Sequence, residues 1–449
     1  MKHRNRLGLF VIAFCAILLS QSFGQQFFPY QYENYTLPNG FKTILIPMKG
    51  SGLIAYYTVV RTGSRDEWEP GKSGFAHFFE HMMFRGTENI PAEEYERTIT
   101  EMGADNNAYT TDDYTCYTMV ISSENLETTM NLESDRFQNL SYAEGPFRTE
   151  AGAVYGEYRK NRVSPWSVAY EEISNLAFDQ HTYKHTTMGF ERDIKEMPNQ
   201  YDYSKSFFNR YYRPENCVLL LAGDFDAADA KSLIEKYYGD WEKGYTQPEI
   251  KQEDMQKGER QKTIEYDGRT LPLVWLAYKS EAFDATSKRN AAGYLLWEFA
   301  FGENSELYKQ LVIREQKVQF ISGGYGLNRD PKFHSVYAMV KSPDDINYVI
   351  EQVDGAAEEF KKELVSQDDL ENIKSRIRYD FLMGLDTPEN VTSSLARMVA
   401  LNGDLESVDQ FYKTLESVTP EDVRAAAEYY LQNDRRTTLI LKEKQNDAE

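Results

Sequence analysis

GFAHFFEHMMFRGT, residues 74 to 87, contains a pentapeptide that recurs in altered form later in the chain. HFFEH at 77 to 81 has its counterpart in LLWEF at 295 to 299, 218 residues further on. More pairs follow in the same order at nearly the same offset: YTMV at 117 to 120 with YAMV at 337 to 340, and Tyr211-Tyr212 plus VLLL at 218 to 221 with Tyr429-Tyr430 plus TTLIL at 437 to 441. This order indicates that one folding unit is written twice.

Within the first unit, strand and helix patterns alternate. The strand-like segments are rich in β-branched and aromatic residues, and they cover residues 41 to 48, 53 to 61 and 114 to 121. The helical segments cover residues 75 to 84, 91 to 102, 124 to 140 and 147 to 163, with Gly103 ending the second of them. Paired strands grouped with helices predict an α+β fold: two duplicated domains, each an antiparallel-rich sheet packed with helices.

The length of 449 residues exceeds what one hydrophobic core usually serves, which agrees with two domains of roughly 200 residues each. We expect an N-terminal domain at 25–240 that carries the metal site and a C-terminal domain at 263–449 without one. The segment 241–262 between them is charged and almost free of large aliphatic residues, as expected of a polar linker.

The first 24 residues have the pattern of a signal peptide. Three cationic residues precede an apolar run from Leu7 to Leu19, and small residues stand near Gly24. We expect cleavage there, export to the periplasm or the extracellular space, and no stable membrane span afterwards; the alternative is an uncleaved N-terminal anchor. After cleavage two cysteines are left, Cys116 and Cys217, and both lie in apolar runs typical of buried free thiols. A single disulfide between them is the alternative.

The formal net charge is −21, which argues against nucleic acid as a partner because its phosphates would be repelled. Such acidity is compatible with solubility alone or with basic or unfolded peptides as partners.

HFFEH carries the chemistry. On a helix, His77 and His81 lie one turn apart on one face with Glu80 beside them, so both imidazoles can bind one metal ion. Zinc is the first choice, and Glu80 would serve as general base toward a water at that metal. The alternative, two hydrogen-bonded core histidines, is disfavoured because Leu295 and Phe299 replace them in the second copy.

A third protein ligand is required. The predicted helix at 147 to 163 offers Glu150 and Glu157, which are seven residues apart on one face. One of them could bind the metal while the other hydrogen-bonds a ligand histidine. Their spacing alone does not say which.

These segments resemble the M16 metallopeptidases, the insulinase-like family that carries the inverted zinc motif HxxEH. The likeness covers nearly the whole chain after residue 24, and its most specific segments are GFAHFFEHMMFRGT at 74 to 87, GADNNAYTTDDYTCY at 103 to 117, FRTEAGAVYGE at 147 to 157, HTYKHTTMGF at 181 to 190 and YYRPENCVLLLAGDFD at 211 to 226. The resemblance implies a zinc endopeptidase that cuts unfolded peptides.

By position, the resemblance implies a role for each site residue and one zinc ion per chain. His77 and His81 match the two ligand histidines, and Glu80 matches the catalytic base. Glu157 matches the third zinc ligand, and Glu150 matches an outer carboxylate that supports the site.

The resemblance also implies where substrate binds. In the family, the strand that contains Asn107 and Ala108 is an exposed sheet edge on which a peptide is laid as an added strand. One departure concerns an arginine followed seven residues later by a tyrosine, which active family members carry in a later repeat. This chain has Arg314, but the aromatic residue is Phe320, six residues on. With two repeats, the chain is expected to pair as a homodimer or as a heterodimer with another M16-type subunit.

The sequence is also compatible with two other functions. A non-catalytic or conditionally active subunit of a heterodimeric assembly is the first, and a metal-binding module without hydrolysis is the second, which Glu80 disfavours. Outside the predicted signal peptide, the other histidines, His181, His185 and His334, are interpreted as capping or hydrogen-bonding residues rather than a second metal site.

Overall fold

The computed structural model describes residues 27–444, so the predicted signal peptide at 1–24 lies outside the described residues. The strands of the first half are β1 (Glu33–Thr36), β2 (Lys42–Pro47), β3 (Leu53–Val60), β4 (Asp105–Thr110), β5 (Thr115–Ser122) and β6 (Cys217–Gly223). Its helices are α1 (Phe75–Met82), α2 (Ala92–Glu101), α3 (Leu126–Asn139), α4 (Glu144–Asn161), α5 (Pro165–Ala177), α6 (Glu191–Glu196), α7 (Tyr201–Tyr211) and α8 (Ala227–Tyr238).

The second half repeats this plan. Its strands are β7 (Arg260–Tyr266), β8 (Leu273–Lys279), β9 (Val318–Gly324), β10 (Phe333–Val340) and β11 (Arg436–Glu443). Its helices are α9 (Lys288–Phe301), α10 (Glu306–Tyr308), α11 (Ile346–Lys362), α12 (Gln367–Met383), α13 (Pro388–Asn402), α14 (Glu406–Glu416) and α15 (Pro420–Tyr430).

Each half contains one sheet, and the two sheets share a strand order apart from β1, which has no counterpart in the second sheet. The first runs β1-β2-β6-β3-β5-β4 and the second runs β7-β11-β8-β10-β9. In both, one pair is parallel, β2 with β6 and β7 with β11, while the other neighbours are antiparallel. The predicted α+β fold with two duplicated, antiparallel-rich domains is therefore confirmed.

The central strands are buried on both faces. β6, CVLLLAG, is buried along its whole length, and β3, LIAYYTVV, is buried after its first residue. Continuous apolar strands of this kind need cover on both sides of the sheet. Helices of the same half cover one face, and the other half of the molecule covers the second.

Each half packs one helix on the sheet of the other half. Helix α13 of the second half packs on β3 and β6, and helix α5 of the first half packs on β8 and β11. One hydrophobic core accordingly joins Tyr57 and Leu220 with Leu395, and another joins Ile173 with Leu439. The sequence repeat predicts two copies of the fold but not this reciprocal packing.

The segment between the halves departs from a freely exposed linker. No helix or strand lies between α8 and β7, and residues 260–262, the end of the predicted linker, already belong to β7. Trp241 and Ile250 are buried, and the Glu253 carboxylate accepts hydrogen bonds from the backbone N–H groups of residues 179–181. These few anchors fix the segment to the protein surface despite its charged composition.

Two further expectations concern cysteines and membranes. Cys116 and Cys217 are both buried free thiols, and burial raises the pKa of Cys116 to about 12. None of the helices within residues 27–444 is long and apolar enough to cross a membrane.

Candidate metal centre

Helix α1 presents HFFEH to the site. Its apolar face, with Phe75, Phe78 and Phe79, is completely buried, which leaves His77 and His81 on another face. The helix begins after Gly74, whose φ of 93° favours glycine over other residues. The helix is therefore fixed by its core face, and the two histidines lie on the face toward Glu157 of α4.

A buried carboxylate caps the start of this helix. Glu67 accepts hydrogen bonds from the backbone N–H groups of Gly74 at 2.7 Å and Ala76 at 2.6 Å, and it is 4% exposed. Burial raises the pKa of the Glu67 carboxyl well above its usual range, and the two backbone hydrogen bonds oppose that shift. Free N–H groups at a helix start need an acceptor, which this side chain provides. Glu67 thus helps to position α1, a role that sequence analysis missed.

His77, His81 and Glu157 come together on α1 and α4. The Nε2 atoms of His77 and His81 lie 3.5 Å and 3.4 Å from Oε2 of Glu157, and the two imidazole ring centres are 4.8 Å apart. One possible ligand atom from each residue lies within 4.8 Å of the others. Of the two glutamates left open by spacing, Glu157 is the one that faces both histidines.

Glu150 takes the other position. Its Oε1 lies 2.9 Å from Nδ1 of His81, and its Oε2 forms an ion pair with Arg85. Burial acts to raise the pKa of Glu150, but the hydrogen bond with His81 and the charge of Arg85 outweigh it and lower the pKa. The carboxylate therefore stays charged and directs the Nε2 of His81 toward Glu157.

Glu80 lies next to His81 on α1 and contacts β4, the edge strand of the first sheet. Thr110 is the last residue of β4, and its Oγ1 donates a hydrogen bond to Glu80 Oε2 at 2.7 Å. Burial is the main cause that raises the pKa of the Glu80 carboxyl, and the Thr110 hydroxyl opposes it. The arrangement brings a proton acceptor beside the histidine pair.

The donor set fits a zinc ion. Burial, together with the neighbouring His81, lowers the pKa of His77 to about 3, so this imidazole is neutral and able to act as a ligand. Its Nδ1 is buried without a hydrogen-bond partner in residues 27–444. Two imidazoles and one carboxylate are the ligands of many catalytic zinc sites, where a fourth position stays open.

The second half shows what replaces the metal ligands. Leu295 is fully buried where His77 stands in the first half, and Glu298 keeps the place of Glu80. The guanidinium of Arg376 on α12 lies 2.7 Å from Glu298 and 3.9 Å from Asp380. A side-chain cation thus neutralises the retained carboxylate, and the same helix pair packs without a metal site.

The predicted substrate-binding residues lie on the edge of the first sheet. Among the described strands, β4 pairs with β5 alone, and Asn107 is exposed on it while Ala108 is buried. Arg314 forms an ion pair with Glu306, and Phe320 stacks on Trp166 with ring centres 5.5 Å apart. Arg314 and Phe320 are therefore already engaged within this chain.

The other histidines are distributed as follows. His181 Nδ1 accepts from the backbone N–H of Tyr183, and its Nε2 lies 3.1 Å from Asp330. His185 Nδ1 lies 3.0 Å from the carbonyl of Thr186. These contacts agree with the reading of both as capping or hydrogen-bonding residues.

His334 differs from that reading, and here the expectation is wrong. Neither ring nitrogen has a hydrogen-bond partner in the described part of the chain. The ring stacks on Tyr325 at 3.8 Å and touches Trp297 and Tyr430 at 4.9 Å and 5.0 Å between ring centres. Aromatic packing, not hydrogen bonding, holds this imidazole.

Three residues that shape the site, Arg85, Glu67 and Thr110, lie outside the set predicted from the sequence. Arg85 follows His81 by four positions, so helical spacing could have indicated it. Glu67 lies eight residues before Phe75, the first residue of α1, so a local capping pattern does not indicate it. Nothing in local spacing brings Thr110 to Glu80, because that contact depends on the placement of β4.

Comparison with known families agrees with this geometry. The profile described as Insulinase (Peptidase family M16) matches residues 55–191, and the profile described as Peptidase M16 inactive domain matches residues 200–377. The first range contains the whole candidate metal centre, and the second contains most of the half that lacks one.

Individual proteins resemble the chain over most of its length. The zinc protease PqqE of Helicobacter pylori is 28% identical over 456 residues, which cover 98% of this chain and 100% of that protein. A crystal structure of a protease from Helicobacter pylori superposes with a TM-score of 0.86 at 26% identity, covering 92% of this chain and 99% of the other. The periplasmic protease PqqL of Escherichia coli has a TM-score of 0.76 at 18% identity, with coverage of 93% of this chain and 48% of that chain.

Proposed function

Because the chain belongs to the M16 family of peptidases, we propose that it is a zinc-dependent endopeptidase that hydrolyses peptide bonds in unfolded peptides. The observation that carries the proposal is the convergence of His77, His81 and Glu157 with Glu80 beside them. In the second half, whose histidine positions hold apolar residues, the fold forms equally well without this set. The similarity to a protein named a zinc protease supports zinc as the ion.

Each residue has a defined task in this proposal. His77 and His81 would hold one zinc ion through Nε2, and Glu157 would supply the third ligand. A zinc ion held there would supply Lewis-acid chemistry toward the peptide carbonyl and would increase the acidity of water. Glu80 accepts the proton of the attacking water and then donates it to the amine of the leaving peptide. Glu150 keeps His81 in its tautomer and orientation.

The edge strand β4 provides the binding mode. An unfolded peptide added beside Asn107 and Ala108 would form backbone hydrogen bonds, which hold a segment with little regard to its sequence. The strand ends at Thr110, whose hydroxyl contacts Glu80, so a peptide laid along it would pass close to the base.

Pairing with a second subunit belongs to the same proposal. The structure of PqqL is about twice as long as this chain, and this chain aligns to 48% of it. We infer that residues 25–240 act as the catalytic domain and 263–449 as its support, in a homodimer or in a heterodimer with another M16-type subunit. Export follows from the predicted signal peptide at 1–24, and N-terminal sequencing of the mature protein tests it.

A second candidate is a subunit that is inactive alone. It is favoured by Phe320, which lacks the hydroxyl of the tyrosine that active family members carry. Activity that appears only with a co-expressed neighbouring M16-type protein would support this candidate, whereas activity of the purified chain alone would exclude it.

The direct test combines zinc content with digestion of a mixed peptide library by the purified mature protein. The proposal expects one zinc per chain and cleavage of unfolded peptides, lost with a chelator and restored by zinc. A chain that binds no stoichiometric zinc would contradict it.

A further inference from the structure

Thr110 connects the edge strand with the candidate base. Its Oγ1 donates to Glu80 Oε2 at 2.7 Å, and Thr115 Oγ1 lies 3.4 Å away on the paired strand β5. The Thr115 hydroxyl donates to the backbone carbonyl of Thr62 at 3.0 Å, so its proton is engaged elsewhere. The Thr110 proton is therefore directed to Glu80.

Apart from Thr110, whose backbone N–H also hydrogen-bonds to it, the carboxylate of Glu80 has few fixed points. In the described residues, Thr110 is the side chain that donates a hydrogen bond to it, and it does so to Oε2. Glu80 sits on the same helix as His77 and His81, but its three rotatable side-chain bonds leave the carboxylate free to turn unless a partner holds it. A charge-assisted hydrogen bond of this length is strong and directional.

We propose that Thr110 is a positioning residue for Glu80. Its hydroxyl holds Oε2, which leaves Oε1 to face the reacting water. Because Thr110 ends the strand on which the peptide is laid, one strand positions both the substrate and the base. The inference rests on the proposed function, and it adds a residue that neither spacing nor resemblance had indicated.

The test compares Thr110→Val, which removes the hydroxyl at nearly constant shape, with Thr110→Ser, which keeps it. The matched control is Thr43→Val on β2, which lies toward the opposite edge of the same sheet. Its hydroxyl donates to the carbonyl of Tyr35 at 3.0 Å. We expect kcat to fall about tenfold in Thr110→Val, with KM and zinc content unchanged. Thr110→Ser should recover most of kcat, and Thr43→Val should keep it.

Three outcomes would overturn the inference: an unchanged kcat in Thr110→Val, an equal loss in Thr110→Ser, or a parallel loss of zinc. A structural measurement, which does not depend on peptide hydrolysis, distinguishes failure of the positioning role from failure of the proposed function. Crystal structures of zinc-free wild type and Thr110→Val should show one Glu80 side-chain conformation in the former and several in the latter. If the wild type cuts no peptide but this difference is seen, the proposed function fails while the positioning role stands; a single shared conformation refutes the positioning role.

Discussion

At the scale of residues, the Glu150 carboxylate lies between the metal-ligand candidate His81 and the cation Arg85. Removing its charge should release Arg85 and make His81 a poorer ligand. We predict that Glu150→Gln weakens zinc affinity about 10-fold to 100-fold, measured by competition with a chromophoric chelator. Glu144→Gln, at an exposed ion pair with Arg148 on the same helix, is the control. Equal zinc affinities for the two variants would contradict the assigned role.

A second residue-scale prediction concerns His334. Burial lowers the pKa of this imidazole to about 3, against about 6.5 in an unfolded chain. Below pH 6.5 the unfolded chain therefore binds a proton that the folded chain does not, and the free energy of unfolding falls as the pH falls toward 3. Above pH 6.5 both states are neutral and the effect is absent.

His334→Phe should remove this dependence while keeping an aromatic ring beside Tyr325. Between pH 7 and pH 5 we expect the variant to lose about 2 kcal/mol less stability than the wild type. Urea unfolding of both metal-free proteins at the two pH values measures the difference. Identical losses would show that the buried imidazole does not set this slope.

At the scale of elements, helix α1 depends on its cap. Glu67→Ala leaves buried N–H groups at Gly74 and Ala76 without an acceptor, which should lower the free energy of unfolding by roughly 2 kcal/mol. The exposed cap Asp226, which accepts from two N–H groups at the start of α8, is the comparison. Its change to alanine should lower stability by about 1 kcal/mol.

Urea midpoints measure both variants. If the loss in Glu67→Ala is no greater than that in Asp226→Ala, burial of the cap adds nothing to the stability of α1.

Element prediction succeeds where a pattern is local. The predicted strands at 53 to 61 and 114 to 121 correspond to β3 and β5, and the predicted helix at 75 to 84 corresponds to α1. The short strand β1, ENYT, is polar and mostly exposed, so it lacks a period that would reveal it. The geometry of Glu80 with Thr110 depends on how the edge strand is placed, which no local pattern contains.

At the scale of the whole molecule, the two halves need each other. The face of the first sheet that carries Tyr57 and Leu220 is covered by Leu395 of the second half. A partly buried ion pair between Arg65 and Asp330, at 2.6 Å, also crosses that interface. The sequence repeat predicts the duplication, but it cannot predict which faces meet, because those contacts join residues far apart in the chain.

We predict that cutting the exposed part of the connecting segment leaves the halves together. A protease site inserted within residues 242–249 and then cleaved should give two fragments that elute as one particle in size-exclusion chromatography. Each fragment expressed alone should aggregate, because it exposes the sheet face that the other half covers. Two separate, well-folded fragments would contradict the interface described here.

The central claim is that Glu80 is the base of a zinc peptidase. The most direct measurement is peptide hydrolysis and zinc content of Glu80→Gln beside Glu298→Gln, the same change at the equivalent position of the second half. We predict that Glu80→Gln keeps one zinc per chain and loses peptide hydrolysis, whereas Glu298→Gln keeps both. Full hydrolysis by zinc-loaded Glu80→Gln would contradict the claim.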